Sequence, residues 1–277
     1  MLTGGTGFIG SHMAEALTAK GYEVVPFDRK QGLDVTKPEV VRKVAFECDG
    51  IFNLAGVLGT HELNAEDAIG DAVAVNIVGA LNCLAAASEF DIPLLQIAKP
   101  NIWLNTYSIT KQASEDFTKL YVKELGVKAW IVRWFNVYGP RQHYGSPQKL
   151  GPTSIVKALK GEPIPIFGDG HQTADHIYVK DAVSAALAVF EYDAAIGIPV
   201  DVGTGDDVTV NYFVTMVLEE TGFKSEIEFL PMRSGEAEHA IVKADTTFLK
   251  DTVGWAPKYS LQEGLKETID WYRENLP

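Results

Sequence analysis

Cysteine is almost missing from this chain: two thiols, Cys48 and Cys83, stand in segments that read as apolar elements. Buried free thiols in a reducing compartment are the expectation, with no disulfide. Basic charge is also short. With 24 Lys and Arg against 37 Asp and Glu, the net charge of −13 repels phosphate backbones and anionic membranes. That excludes a general nucleic-acid or acidic-membrane surface and leaves room for a local basic pocket that holds one small phosphate ligand. Of the six histidines none is paired at metal-ligand spacing, so no metal site is expected, and His176 reads as a hydrogen-bonded strand residue. Long hydrophobic runs are lacking too. The most apolar region, Ala72 to Ala87, is interrupted by Asn76, Gly79 and Asn82 and reads as too short to span a bilayer. Only Met1, Leu2 and Thr3 precede the first glycines, which leaves no leader to read and makes a soluble cytoplasmic protein the expectation. There is no internal repeat and no low-complexity segment.

What is present is a globular composition. At 277 residues and 46% hydrophobic the chain can bury a large core, as one α/β unit or as two lobes. Gly4-Gly5-Thr6-Gly7-Phe8-Ile9-Gly10 leads into a helical pattern with Ile9, Met13, Ala16 and Leu17 on one face. Glycines at 4, 7 and 10 let the backbone turn tightly and approach a pyrophosphate, and the helix N-terminus offers free N–H groups to the anion. Tyr22 to Phe27 reads as the next strand and ends at Asp28, where a ribose 2′-hydroxyl needs a carboxylate. Asp28 favours NAD over NADP by repulsion of a 2′-phosphate; Arg29 and Lys30 follow at once and offer that phosphate a site instead.

Thr36-Lys37-Pro38-Glu39 has the form of a capping box with proline in the first helical turn. Gly50 to Asn53 reads as a buried strand running into the small-residue turn Leu54-Ala55-Gly56. A long helix is expected from about Ala65 to Ser88, with Asn76 against its apolar stripe, where a buried amide needs a defined partner. Ile92 to Ala98 is another strand, ending at Lys99-Pro100-Asn101. Tyr107 and Lys111 then share a helix face. Asn105 or Thr106 can cap that helix, Phe117, Leu120, Tyr121 and Leu125 supply an apolar stripe, and Gly126 is set to end it. A cation beside a phenol favours the phenolate, so Tyr107 could act as a base below its ordinary pKa of about 10. A chance pairing on an amphipathic helix gives the same pattern.

Val127 to Phe135 is a further strand, and strands alternating with helices at this spacing predict parallel βαβ units with right-handed crossovers. Gly7, Asp28, Ala55, Lys99 and Asn136 would gather beyond the strand C-termini. After Tyr144 a Gly/Pro/Ser-rich loop opens an added lobe. Ala174 to Val179 returns to strand before a helix from Asp181 to Glu191, and the tail carries a helix near 212–221, a strand at 227–230 and a last helix.

The ordered set of motifs resembles the extended short-chain dehydrogenase/reductases, the nucleotide-sugar epimerase/dehydratase family. The resemblance rests on Thr3 to Gly10, Asp28, Asn53 to Gly56, Asn76, Tyr107 with Lys111, and Arg133 through Arg141. It continues through Gly168-Asp169-Gly170, Ile177 to Asp181, Gly254 to Pro257 and Trp271-Tyr272, and so spans essentially the whole chain. It implies an α/β fold, a Rossmann-type doubly wound parallel sheet with a smaller C-terminal α/β substrate lobe. The NAD-binding part would comprise residues 1–145 and 175–203, and the nucleotide-sugar lobe 146–174 and 204–277. NAD contacts are implied at Gly4, Gly7, Phe8, Ile9, Gly10, Asp28, Asp34, Val35, Leu54, Ala55, Gly56, Asn76 and Lys111. Tyr107 would be the acid and base at a sugar hydroxyl, Lys111 would bind the nicotinamide ribose and depress the Tyr107 pKa, and Asn136, Arg141 and Arg233 would contact the nucleotide diphosphate. A homodimer built on the long helices of Asn76 and Tyr107 is also implied.

Two departures stand out. Where the family has a Ser or Thr that bonds the reacting hydroxyl, this chain has Lys99; an ammonium donates but accepts nothing while charged. It either turns outward or enters the site as an electrostatic partner or proton carrier. Ala174 stands where many relatives have an arginine, with Arg233, Arg141 or Lys149 as possible substitutes. The resemblance implies an epimerase working through a transient 4-keto sugar. A dehydratase is the runner-up, although Pro100 and Asn101 occupy the places of its usual Asp-Glu pair. A silent dinucleotide-binding module is the alternative of a different class.

Overall fold

The computed structural model describes residues 1–100 and 102–277. In chain order its strands are β1 (Leu2–Thr3), β2 (Pro26–Phe27), β3 (Ile51–Asn53), β4 (Leu94–Ala98), β5 (Ala129–Trp134) and β6 (Ile164–Phe167). They continue with β7 (Thr173–Asp175), β8 (Pro199–Val202), β9 (Asp207–Thr209), β10 (Ile227–Leu230) and β11 (Ile241–Val242). The main sheet has the order β2-β1-β3-β4-β5-β8, parallel throughout. The helices are α1 (Phe8–Ala19), α2 (Pro38–Ala45), α3 (Glu66–Ala72), α4 (Ala80–Phe90), α5 (Thr106–Leu125), α6 (Leu150–Lys160), α7 (Val179–Phe190), α8 (Val210–Thr221) and α9 (Leu261–Glu274).

Every residue of β3 and β4 is buried, as a parallel sheet covered on both faces requires. One face packs Leu2, Leu95 and Val132 against Met13 and Leu17 of α1 and Val183 and Leu187 of α7. The other packs Phe27, Ile51 and Leu94 against Val41 of α2 and Leu84 of α4. This is the α/β Rossmann-like arrangement. Two smaller sheets follow in the C-terminal part: β6 with β10, and β7 between β9 and β11.

Several local expectations are corrected. The strand expected from Tyr22 shrinks to Pro26–Phe27 because Tyr22 is still tied to the end of α1, its N–H donating to Leu17 O at 3.1 Å. The capping box at Thr36 does not form. Helix α2 starts at Pro38 with Lys37 as cap, and Thr36 donates its N–H and hydroxyl to Asp34 Oδ1 at 2.9 and 2.8 Å. Of the stretch Ala174 to Val179 only Ala174 and Asp175 are strand, as part of β7, since Tyr178 already caps α7. Cys83 is fully buried, whereas Cys48 is half-buried with its thiol on Val44 O. Asn101 lies outside the described residues.

The long helix expected from about Ala65 to Ser88 forms, and its apolar length exceeds what the run Ala72 to Ala87 suggested. α3, a π-helical turn (Val73–Gly79) and α4 run on as one 25-residue helix, long and apolar enough to cross a membrane by length and composition. Its inner face packs on the sheet through Val75, Asn76, Cys83 and Leu84, as a core helix does.

Helix α5 meets the expectation about its apolar stripe only in part. Asn105 caps it by accepting from Ser108 N at 2.8 Å, and Gly126 ends it at φ 71°. Phe117 and Tyr121 pack half-buried against the core, Leu120 and Leu125 face solvent, and the fully buried positions are mostly polar: Ser108, Thr110, Lys111, Ser114, Glu115 and Thr118. Glu115 accounts for that polar face: fully buried, it receives Arg133 of β5 in a fork at 2.7 and 2.6 Å and Lys119 at 2.6 Å. Burial raises the Glu115 carboxyl, and those hydrogen bonds outweigh it and hold the group below its usual range.

Candidate active site

The glycine loop folds back on itself. Gly4 sits at φ 67°, and a Cβ there would lie 3.0 Å from the Leu54 carbonyl; a Cβ on Gly10 would lie 2.1 Å from Gly4 O. The loop and the first turn of α1 therefore approach more closely than any side chain allows, with Gly7 as the α1 cap. The first-turn N–H groups, beginning with Phe8, Ile9 and Gly10, have no acceptor within a helix and point past its end. Asp28, at the end of β2, accepts from Lys30 N at 3.1 Å through one oxygen. Asp34 is tied to Thr36, and Val35 is buried against Gly79, its carbonyl accepting from Asn82 at 2.9 Å. The side chains of those two residues thus serve the fold.

A buried polar chain crosses the strand ends. Thr3 donates to Asn53 Oδ1 at 2.6 Å, Asn53 donates to Gln96 Oε1 at 2.9 Å, and Ala55 N donates back to Thr3 Oγ1 at 3.0 Å. It pins the Leu54-Ala55-Gly56 turn above β1 and β3. Asn76 holds the next residue from the other side: its Oδ1 accepts from Val57 N at 2.8 Å, and its Nδ2 donates to Val57 O and to Thr110 Oγ1, both at 3.0 Å. Its role here is to position backbone. A Cβ on Gly56 would stand 3.4 Å from Asn76 Oδ1 and 3.8 Å from Lys111 Nζ, so this turn and the Lys111 ammonium are neighbours.

Tyr107 and Lys111 lie on the inner face of α5. Lys111 Nζ donates to Ile97 O at 2.6 Å, and burial, then the nearby Lys99 charge, pushes its pKa down to about 8. Burial pushes the Tyr107 phenol up to about 12. The expectation that Lys111 would make this phenol more acidic is not met, because in this low-dielectric setting desolvation of the phenolate outweighs a lysine already bonded to the backbone. Lys99 does not turn outward. Its Nζ donates to Pro100 O at 2.6 Å and Ser108 Oγ at 2.7 Å and stands 5.6 Å from the Tyr107 ring centroid. Burial, then Lys149, brings its pKa down to about 8.

Beyond this group lies a cavity lined by Trp103, Asn136, Lys149, Phe167, Ala174, His176 and Arg233. Arg233 lies 4.7 Å from the Phe167 ring centroid and donates to Glu236 at 2.6 and 3.2 Å. Asn136 donates to Asp175 O at 3.0 Å. Five buried polar atoms on the cavity wall have no partner among the described residues: Trp103 Nε1, Thr153 Oγ1, Gln172 Oε1, Thr173 Oγ1 and His176 Nε2. Buried polar groups are otherwise nearly always paired, so this wall suits a polar ligand. His176 was expected to be hydrogen-bonded; instead it stacks on Phe213 at 4.4 Å, and burial pushes its pKa down to about 4.

Arg141 is not part of this group. It turns to α1, where Glu15 receives it at 2.5 and 2.9 Å and His12 at 2.7 Å, so it neither contacts the cavity nor replaces an arginine at Ala174. Lys149 and Arg233 remain as the cavity's cations. Sequence reasoning missed Ser108 and Glu115. The spacing of Glu115 did carry a signal, since it stands four residues after Lys111 and eight after Tyr107 on the same face.

The pattern that defines the NAD dependent epimerase/dehydratase family matches residues 1–98 and 100–203. A protein of Methanocaldococcus jannaschii described as a putative UDP-glucose 4-epimerase is 28% identical over 99% of this chain and 98% of its own. A UDP-N-acetyl-α-D-glucosaminuronate decarboxylase of Bacillus cytotoxicus is 29% identical over 99% and 97%. Among solved structures, the UDP-glucose 4-epimerase of Thermotoga maritima with UDP-glucose superposes with a TM-score of 0.91 at 28% identity, covering 100% of this chain and 99% of that one.

Proposed function

This chain belongs to the NAD dependent epimerase/dehydratase family, and from that premise we propose that it is a 4-epimerase of a nucleotide-diphosphate sugar. The observation that carries the reading is half-buried Tyr107 and buried Lys111 on one face of α5, with Lys111 beside the Gly56 turn, in a chain that also holds a glycine cradle and a polar-walled cavity. The cradle fits NAD: Gly4 and Gly10 leave the space a Cβ would fill, the start of α1 offers N–H groups to a pyrophosphate, and Asp28 keeps one carboxylate oxygen for a ribose. Bound there, NAD supplies the acceptor and later the donor of a hydride.

The residues of the chain do the rest. Asn136, Lys149 and Arg233 hold the diphosphate, with the Phe167 face beside them. Tyr107 takes the proton of the C4 hydroxyl and gives it back to the 4-keto sugar after the sugar has turned. Lys111, fixed on Ile97 O, aims its remaining N–H groups at the nicotinamide ribose. Asn76 and the Thr3–Asn53–Gln96 chain keep the Gly56 turn from closing on that space. Exposed Ile69, Val73 and Val78 on the Asn76 helix and Leu120 on α5 support a homodimer through those helices.

The test is product analysis. Protein loaded with NAD is incubated with a panel of nucleotide sugars, and Tyr107→Phe is run alongside. A new C4 stereoisomer that Tyr107→Phe fails to form is expected. A dehydrated keto sugar, or loss of carbon dioxide, would replace this reading with another reaction of the family; no product and no transient NADH absorbance from any sugar would leave a silent module.

A further inference from the structure

The Tyr107 chemistry leaves one charged side chain without a task. Lys99 follows the last residue of β4, at the strand end where ligands of parallel sheets bind, and its ammonium stands beside the Tyr107 ring. Two of its three protons go to neutral acceptors, Pro100 O and Ser108 Oγ, which leaves one free. Among the described residues no carboxylate lies within ion-pair distance of Lys99, Lys111 or Lys149, and Glu62 and Glu236 act on Lys149 only from further off. This happens in a chain with a surplus of 13 acidic charges, where an acid could have been supplied easily. Burial is the main reason that Lys99 and Lys111 are pushed down, and like charge adds to it: Lys99 lowers the pKa of Lys111, and Lys149 that of Lys99. A partly buried cation held without an anion in a protein is costly unless a ligand brings the anion.

The anions of the two nucleotides do not account for it. The pyrophosphate of a dinucleotide belongs at Gly4 to Gly10, and the diphosphate of the sugar nucleotide at Lys149, Asn136 and Arg233. Lys99 belongs to neither group; it stands 5.6 Å from the ring of Tyr107, the phenol assigned to the sugar hydroxyl. We infer that Lys99 is the specificity residue for a carboxylate on the sugar, so that the substrate is a nucleotide-linked hexuronic acid. The inference rests on the nucleotide-sugar reading and narrows it. An ammonium at this position would make one charge-assisted hydrogen bond to the carboxylate; the hydroxyl usual in the family carries no charge with which to favour an acid over the neutral hexose.

The test compares dissociation constants of the NAD-loaded protein for UDP-glucuronate, UDP-glucose and UDP alone, with the dTDP and GDP series in parallel, by calorimetry. In the wild type the uronate is expected to bind at least tenfold tighter than the hexose on the same nucleotide, about 1.4 kcal/mol. Lys99→Met should bring that ratio to about one, and Lys99→Arg should keep most of it. The ratio is measured within each variant, so a general loss of stability does not imitate the result. A wild-type ratio near one in every series overturns the assignment. So does a Lys99→Met variant that binds UDP, hexose and uronate all more weakly with the ratio intact, which would make Lys99 a diphosphate contact. If no nucleoside diphosphate binds at all, the nucleotide-sugar reading falls with it, whereas diphosphate binding without uronate preference removes the Lys99 assignment alone.

Discussion

Replacing Glu115 by Ala takes away the anion that ties the Tyr107 helix to the central sheet. Glu115 has no exposed surface, and Arg133 of β5 is 28% exposed, so the pair is mostly shielded from water. Removing one partner of a buried pair costs about 3–5 kcal/mol, because the other charge is left desolvated. Arg133 keeps Asp201 at 3.5 Å and some access to water, which puts the expected loss at the lower end, about 3 kcal/mol. For a chain of this size that corresponds to a fall in Tm of roughly 6–12 °C. The assay is urea unfolding of the wild type, Glu115→Ala, Arg133→Met and the double variant, read as a cycle, with a coupling of about 2 kcal/mol expected. Acid should have the same effect. Since the folded carboxyl lies below its unfolded value of 4.5, its contribution is present above that value and lost as pH falls through the folded one. The wild type and Glu115→Gln should therefore converge in stability as the pH drops below 4.5 and through the folded value. A Glu115→Ala loss under about 1 kcal/mol, or a coupling indistinguishable from zero, would refute the claim that this pair fixes α5.

Other consequences follow from the same contacts. In Gly10→Ala the new Cβ would meet Gly4 O at 2.1 Å, so the loop must open; a stability loss of about 1–3 kcal/mol and near-absence of NAD from purified protein are expected, the latter read from the absorbance of a denatured extract. Normal cofactor content would count against the cradle. Lys99 and Lys111 are both pushed down to about 8 from an ordinary 10.5, so the folded state gives up protons first and stability should rise as pH goes from 8 towards 10. Lys111→Met should flatten that rise in denaturation curves taken across the range. A wild type whose stability is level or falls between these values would show that the lysines are not desolvated as described.

Much of the candidate site was legible in the residues because it depends on short-range patterns. Glycines at 4, 7 and 10 permit one close approach, Asp28 ends a strand at the right distance, and a phenol and an amine four residues apart must share a helix face. Those are consequences of local geometry, which sequence fixes without help from the rest of the fold. Other features depend on what packs against them. The apolar stripe of α5 was right for Phe117 and Tyr121 and wrong for Leu120 and Leu125, because helix periodicity reports amphipathicity and not which side meets the sheet; the Glu115–Arg133 pair, formed between elements, brought a polar face inward. Arg141 was drawn into the site by its motif, and tertiary contact with Glu15 and His12 turned it away. The acidity of Tyr107 was judged from one neighbour, although desolvation is a property of the whole enclosure. Lys99 combines both cases. Its identity stood out in the sequence as a departure, but only the folded structure brings it in beside Tyr107 with no acid among the described residues to answer its charge, because that depends on where the carboxylates of a strongly acidic chain come to lie.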